Sequence, residues 1–473
     1  MPIRFGTDGW RAIIAEDYTF DNVRACAQGV ADYLKEQGLA ERGVVVGYDT
    51  RFASEDFAAA AAEVLAANGV KTYLGSAPSP TPTTSWSVIH RKAGGGIVIT
   101  ASHNPPQWNG FKYKPDYGGS AAPEVVEALE GHIDHALATD GVRRIGLAEA
   151  RQQGTVELVD LAEPYMAQIS SLLDLEAIKN SGLKIVVDTM YGAGTSYIAS
   201  LLAGGSATIT EINSERNPAF PGIAQPEPIA HNLQKLAQAV IGNKADVGIA
   251  LDGDADRLGI IDEHGRFMSP LQVFSLLALY LLETRGQKGA LVKSLTMSSM
   301  IWRLGEQFAA PVFETAVGFK YVGAIMRREN ALAGGEESGG FGFRGHLPER
   351  DGVLSGLYFL DMMVRMKRSP SELLDYLYEK VGPHHYRRWD IQFNPARMDE
   401  IRERVEQAKP DSLASRSVTA IDVVDGFRFH LEGGAWGAVR FSGTEPLVRI
   451  YAEAESVAAA EAILEAIRNL AKV

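Results

Sequence analysis

A single cysteine, Cys26, stands among 473 residues, so no intrachain disulfide can form and no cysteine cluster can ligate a metal. A reducing compartment is the natural inference, and Cys26 itself reads as a small buried apolar residue. Long hydrophobic runs are missing as well. The most apolar stretch, Leu271 to Leu282, is too short to span a bilayer and reads as a buried helix. The start, Met1 to Trp10, lacks the apolar core of a secretory signal, and its acidic residue disfavours a transit peptide. A cytoplasmic protein without a membrane partner is expected. Positive charge is in deficit: 46 Lys and Arg against 59 Asp and Glu leave a formal charge of -13. Such a surface repels polyanions at long range, which argues against nucleic acid and anionic membranes. Any phosphate-bearing ligand must then be gripped by local basic residues.

What is present is an ordinary globular composition, 46% hydrophobic and 22% charged, without low-complexity tracts. The length exceeds what one core normally supports and favours roughly two to four domains. Short β-branched runs alternate with amphipathic stretches: Val44 to Tyr48 precedes the alanine-rich Ala53 to Ala67, and Thr81 to Arg91 leads into Gly96 to Thr100. The alternation recurs at Leu183 to Asp188, Ala207 to Ile212, Val247 to Leu251, Leu258 to Ile261 and Gly289 to Val292, the pattern of α/β layers. After Tyr386 strands predominate (Arg388 to Phe393, Ser417 to Ile421, Gly426 to Leu431, Ala435 to Phe441, Val448 to Ala452), closed by a helix from Val457 to Leu470. The expected organisation is three α/β domains, residues 1–145, 146–257 and 258–380, followed by an α+β domain at 381–473.

Behind Thr100 comes a polar loop, Ala101-Ser102-His103-Asn104-Pro105-Pro106, that continues to Lys112. Open α/β sheets place ligand sites at such strand ends. Two prolines keep the loop out of helix, so Ser102 can be presented as a nucleophile at fixed geometry; an ordinary Ser/Asn/Pro turn has the same composition. No G-x-S-x-G elbow surrounds Ser102, and His103 need not point at its hydroxyl. Lys112 is a candidate general base if a dry site lowers its pKa.

The strand-like Asp246 to Leu251 runs into Asp252-Gly-Asp254-Ala-Asp256-Arg257. Three carboxylates on alternate residues with small spacers can turn toward one centre, and hard oxygen ligands imply Mg²⁺ or Ca²⁺ rather than zinc. An EF-hand fails on two counts: Arg257 stands where the loop needs glycine, and both flanks read as strands. A solvated acidic turn is the plain alternative. Because magnesium prefers few protein ligands plus a phosphate oxygen, the loop suits a metal shared with a phosphoryl group, with Arg257 beside it.

Two further loops stand out. Gly335-Glu336-Glu337-Ser338-Gly339-Gly340 sets two carboxylates between glycines, a tight loop whose acceptors suit a hydroxyl-rich ligand such as a sugar. Arg440-Phe-Ser442-Gly443-Thr444-Glu445-Pro446, with Arg449 beyond it, has the parts of a phosphate cradle, or of a hairpin with a chance arginine.

In this order the four loops resemble those of the α-D-phosphohexomutase superfamily, which includes phosphoglucomutase, phosphomannomutase and phosphoglucosamine mutase. The matching segments are Thr100-Ala-Ser-His-Asn-Pro105, Asp252-Gly-Asp-Ala-Asp-Arg257, Gly335-Glu-Glu-Ser-Gly339 and Arg440-Phe-Ser-Gly-Thr-Glu-Pro446. The resemblance spans nearly the whole chain. It implies four domains around a central cleft, three of related α/β fold with mixed sheets and a C-terminal α+β domain, each supplying one loop. It implies that Ser102 carries a phosphoryl group, that Asp252, Asp254 and Asp256 bind Mg²⁺ together with an oxygen of that phosphoserine, and that Arg11 and Arg257 offset developing charge. Lys112 is the implied acid/base, with His103 beside the serine. Thr315-Ala-Val-Gly318-Phe-Lys320 resembles the loop that helps tell the two ends of the substrate apart. Glu336, Ser338 and His346 would hold the sugar, and Arg440, Ser442, Gly443, Thr444 and Arg449 the phosphate that is not reacting.

In the implied cycle the phosphoserine donates to a sugar hydroxyl, the bisphosphate turns around inside the cleft, and its other phosphate returns to serine. Many bacterial phosphomannomutases carry Met or Gln in place of the second glutamate and His where this chain has Gly340. Glu336-Glu-Ser338, followed by His346 and by Glu349-Arg-Asp-Gly352, looks more like phosphoglucomutases. The expectation is a monomer or homodimer that interconverts glucose 1-phosphate and glucose 6-phosphate through glucose 1,6-bisphosphate. Mannose phosphates are the alternative substrates. A phosphosugar sensor without turnover and a metal-dependent phosphatase are the rival classes.

Overall fold

The computed structural model describes residues 3–441 and 447–473, and four sheets follow one another along them. The first contains β1 (Trp10–Ile13), β2 (Val44–Tyr48), β3 (Thr72–Gly75), β4 (Gly95–Ile99), β5 (Trp108–Pro115) and β6 (Val156–Val159) in the order β1-β5-β4-β2-β3-β6. β4, β2, β3 and β6 run parallel, whereas β5 returns antiparallel to β4 and pairs with β1. Every residue of β2 and β4 is buried. Helices cover both faces of such a strand, so its sequence is a continuous apolar run instead of an alternation.

The second sheet, β7 (Lys184–Asp188), β8 (Thr208–Ile212), β9 (Val247–Leu251), β10 (Leu258–Ile261) and β11 (Phe267–Met268), has the order β11-β10-β9-β7-β8. The third, β12 (Leu291–Ser294), β13 (Val312–Thr315), β14 (Ala333–Gly335) and β15 (Phe341–Phe343), runs β13-β12-β14-β15. Both are mixed in the same way as the first: parallel strands end on an antiparallel return, β9 to β10 and β14 to β15. The fourth sheet is antiparallel throughout, with β16 (His385–Gln392), β17 (Ser412–Leu413), β18 (Arg416–Asp422), β19 (Phe427–Leu431), β20 (Trp436–Phe441) and β21 (Leu447–Ala454) ordered β16-β21-β20-β19-β18-β17. Helix Val457–Ala471 packs its buried Ile463, Leu464 and Ile467 into that sheet's core.

Three mixed α/β sheets followed by an antiparallel α+β unit match the expected fold class. Two of the expected borders do not match the sheets. β6 lies beyond residue 145 yet pairs with β3, and β10 and β11 lie beyond residue 257 yet complete the second sheet. A border at 257 would cut the β9–β10 pair at its turn, separating strands that share a ladder. The second and third sheets also share one core, in which Ile185, Val187 and Ile249 join Leu291, Phe341 and the buried helix Gly352–Met366. The apolar stretch from Leu271 is a buried helix, Pro270–Leu279, and Cys26 is buried in helix Phe20–Glu36, where desolvation pushes its thiol up. Among the described residues no helix is long and apolar enough to cross a membrane.

The shared topology places the site. In each mixed sheet the turn joining a parallel strand to its antiparallel return carries one loop of interest: Ser102 between β4 and β5, the three aspartates between β9 and β10, Glu336 and Ser338 between β14 and β15.

Candidate active site

Ser102 sits in the left-handed region at φ 52°, which a β-carbon disfavours, so surrounding contacts must hold it there. Arg51 does so. Its guanidinium, wholly buried, donates to the carbonyls of Ser102 (2.6 Å), Asn104 (2.5 Å), Pro105 (2.9 Å) and Trp108 (3.0 Å) and pairs with Asp49 at 3.3 Å. The Ser102 N–H donates to Thr100 Oγ1. Arg11, on β1 opposite Gly110 of β5, donates to Asn104 Oδ1 at 2.7 Å and so reaches the same loop.

The serine hydroxyl points at the aspartates. Ser102 Oγ donates to Asp252 Oδ2 at 2.8 Å, across the boundary between the first and second sheets. One carboxylate oxygen from each of Asp252, Asp254 and Asp256 lies within 4.8 Å of the others, and all three residues are buried. Burial, reinforced by repulsion from Asp254 and Asp256, raises the Asp252 carboxyl well above its ordinary range. Burial raises Asp256 as well, though Arg350 opposes it. Burial would also raise Asp254, but Lys112 and the Thr81 hydroxyl outweigh it and hold that carboxyl low. Asp254 Oδ1 and both oxygens of Asp256 are buried without a hydrogen-bond donor among the described residues. Crowded, dry, all-oxygen and partly unsatisfied, this donor set fits a hard divalent cation.

Lys112, from β5, overturns the expected lowered pKa. Burial does lower it, but Asp254 (2.9 Å), Asp8 (2.7 Å) and Asp256 (3.6 Å) win, and the ammonium is held above its ordinary value. His103 Nδ1 lies 3.3 Å from Ser102 Oγ, and its imidazole is held well below its ordinary pKa, first by burial and then by Arg257, Arg11 and Lys112. Arg257 borders the triad from the other side, its Nε 4.0 Å from Asp252 and 3.9 Å from Asp256, and pairs with Glu227 at 3.0 Å.

The third sheet's loop divides its two glutamates. Glu336 is buried and accepts from the Gly318 N–H at 2.8 Å, which ties it to the Thr315 to Lys320 loop. Glu337 turns the other way, to Tyr386 (3.1 Å) and Arg388 (3.2 Å) of β16. Ser338 Oγ is buried with no partner among the described residues. Lys320 lies 5.2 Å from the Tyr321 ring and lines a cavity with Tyr117 and Arg327. Arg440 donates to Asp425 at 2.9 Å, and the same Asp425 oxygen accepts from the Val317 N–H, while Arg449 lies 3.6 Å from Asp390. Ser442, Gly443 and Thr444 lie outside the described residues.

His346 is not in this cluster. Its side chain is 1% exposed, paired with Asp351 at 2.9 Å and stacked on Trp86. The expected sugar contact is therefore replaced by an internal one, because a side chain 1% exposed, stacked on Trp86 and paired with Asp351, is shut away from a ligand.

Four residues that the sequence did not single out belong to the network. Asp8 pairs with Lys112, Lys114 (3.2 Å) and Arg350 (2.6 Å); Arg350 also meets Asp256 at 2.9 Å; Thr81 donates to Asp254; and Arg51 braces the serine loop. Asp8, in Gly6-Thr-Asp-Gly9, carried the only usable signal, an acidic residue in a glycine-flanked turn three residues before Arg11.

Comparison with known proteins covers almost the whole chain. Residues 2–140, 163–265 and 269–381 match the alpha/beta/alpha domains I, II and III of phosphoglucomutase/phosphomannomutase, and residues 397–470 match the C-terminal domain of that family. A phosphoglucomutase/phosphomannomutase of Thermococcus kodakarensis is 33% identical over 461 residues, covering 98% of this chain and 96% of the relative. A phosphoglucosamine/phosphogalactosamine mutase of Sulfurisphaera tokodaii is 29% identical over 470 residues, 98% of each chain. A crystal structure from Thermus thermophilus, of a protein proposed as a phosphomannomutase, superposes with a TM-score of 0.86 at 35% identity over 100% of both chains.

Proposed function

The chain belongs to the phosphoglucomutase/phosphomannomutase family and is a phosphohexomutase, and on that premise we propose that it interconverts glucose 1-phosphate and glucose 6-phosphate through a phosphoserine at Ser102 and a glucose 1,6-bisphosphate intermediate. The observation that carries this reading is the 2.8 Å contact of Ser102 Oγ with Asp252, which joins a nucleophile to a metal-competent triad. In the first half of the cycle the bond from phosphorus to the serine oxygen breaks and one to a sugar oxygen forms. The sugar hydroxyl loses a proton and the serine oxygen gains one, so the half-cycle is balanced. The second half runs in reverse with the other phosphate.

Asp252, Asp254 and Asp256 are the residues that would hold Mg²⁺, which supplies charge compensation for a transferring phosphoryl group. Arg11 and Arg257, poised at the serine loop and the triad, add fixed positive charge there. Lys112, kept protonated by its carboxylates, is suited to supply the proton that the departing serine oxygen needs. Glu336 and Ser338 are assigned to sugar hydroxyls, with Lys320 on the neighbouring loop. Arg440 and Arg449, with Ser442, Gly443 and Thr444, are assigned to the distal phosphate, which lets an acidic protein hold a dianion. Glucose is preferred on the Glu336-Glu-Ser338 loop and its Gly340; His346 no longer contributes to that choice. We assign the enzyme to the cytoplasm.

Purified protein supplied with Mg²⁺, glucose 1-phosphate and a trace of the 1,6-bisphosphate should yield glucose 6-phosphate. Release of inorganic phosphate would instead mark a phosphatase, and no conversion a sensor. Rates on glucose, mannose and glucosamine 1-phosphates measured side by side test the sugar, and a faster mannose reaction overturns the glucose assignment.

A further inference from the structure

One guanidinium reaches two of the four loops and the N-terminal segment. Arg350 is 7% exposed, and its Nη2 lies 2.6 Å from Asp8 of the N-terminal segment and 2.9 Å from Asp256 of the metal loop. Its Nη1 lies 3.7 Å from Glu336 of the sugar loop, and its Nε lies 3.5 Å from Glu349. Asp256 Oδ2 and Glu336 Oε2 both face Arg350 as ion pairs, at 2.9 and 3.7 Å, while neither Asp256 oxygen has a hydrogen-bond donor among the described residues and Glu336 Oε1 accepts from the Gly318 N–H. The planar fork of arginine holds such partners in fixed mutual geometry, which the single ammonium of lysine cannot do.

The path of the side chain is specific as well. Arg350 runs past the sugar loop through the space that any side chain on Gly340 would occupy: a β-carbon there would lie 2.2 Å from Arg350 Cδ and 2.6 Å from its Cγ. Gly340 does not have positive φ, so the glycine answers to this close approach and not to a turn.

We propose that Arg350 is a positioning residue that couples the metal loop to the sugar loop, so that a divalent cation and a hexose phosphate each tighten the other's binding through it. The inference rests on the phosphohexomutase reading of the same cleft. Asp256 and Glu336 sit on different sheets and touch the same rigid group, so fixing one carboxylate biases the other, and linkage makes the effect reciprocal.

The test is a calorimetric titration of Mg²⁺ into the full chain, with and without saturating glucose phosphate, repeated for Arg350→Lys and Gly340→Ala. The parent should show a coupling of ~5-fold or more, within the usual range for linked sites. In Arg350→Lys the coupling should fall to within about twofold of unity, while each ligand alone still binds. Coupling that came only from a phosphate oxygen touching the metal would survive in Arg350→Lys, and a merely structural role would weaken both affinities and leave their ratio intact; either result overturns the proposal. If circular dichroism shows Arg350→Lys unfolded, Gly340→Ala, which displaces the same stem, decides between the same outcomes. A parent that binds no hexose phosphate defeats the functional reading itself, whereas equal coupling in parent and variants defeats only this inference.

Discussion

Gly253 approaches the carbonyl oxygen of Ser102 so closely that a β-carbon at residue 253 would lie 2.4 Å from it. The serine loop and the metal loop therefore meet backbone against backbone, and the 2.8 Å bond from Ser102 Oγ to Asp252 follows from that approach. Gly253→Ala should push the loops apart. Displacements near 1 Å at a reacting centre lower rates by about 10²-fold, so kcat should fall on that order while the urea midpoint moves little. A variant with parental kcat would mean that the two loops need not touch for turnover.

Arg51 predicts a different pattern. It is a wholly buried cation that lies 3.3 Å from Asp49 as its ion-pair partner and donates to four loop carbonyls. Arg51→Met removes a donor from each of those carbonyls and leaves the buried Asp49 without its cation, a loss of ~3–5 kcal/mol for a broken buried pair. Urea unfolding should show that loss, and turnover should fall further than stability alone explains, since Ser102 loses its left-handed brace.

Ser102→Ala should reduce turnover by on the order of 10³ or more, as removal of a nucleophile commonly does. Radiolabelled glucose 1,6-bisphosphate should leave label on the parent and none on the variant. Label retained by Ser102→Ala would place the phosphoryl group elsewhere. Asp254→Asn should raise the Mg²⁺ concentration needed for half-maximal rate, and chelation should silence the parent reversibly.

Much of this was legible because the chemistry is local. Ser102 and the three aspartates each lie within one short loop at a strand end, so spacing alone carries the signal. The roles of Arg51 and Arg350 were not legible, and that of Asp8 only faintly, since each acts on partners far along the chain: Arg350 and Asp8 are 342 residues apart. His346 misled for a related reason, because Trp86, on which its ring stacks, reaches it only in the fold. The domain borders slipped where strands beyond the expected border, β6 after residue 145 and β10 and β11 after residue 257, pair back into the preceding sheet.

The contact between the third and fourth sheets yields a prediction that pH can test. Glu314, on β13, accepts from Lys293 at 2.5 Å and from both terminal nitrogens of Arg428, which comes from β19 and also donates to the Leu295 carbonyl at 3.0 Å. Burial raises the Glu314 carboxyl, but the Arg428 hydrogen bonds and the Lys293 charge reverse this and bring it from 4.5 down to about 2. A carboxyl with a lower pKa folded than unfolded stabilises the fold above its unfolded value and loses that contribution as pH falls toward the folded one. Stability from Glu314 is thus complete above pH 4.5 and disappears between there and about 2. Glu314→Gln should therefore melt below the parent at neutral pH, and the gap between the two should close as both are acidified through that window. A gap independent of pH would show that shape, not charge, joins these two sheets.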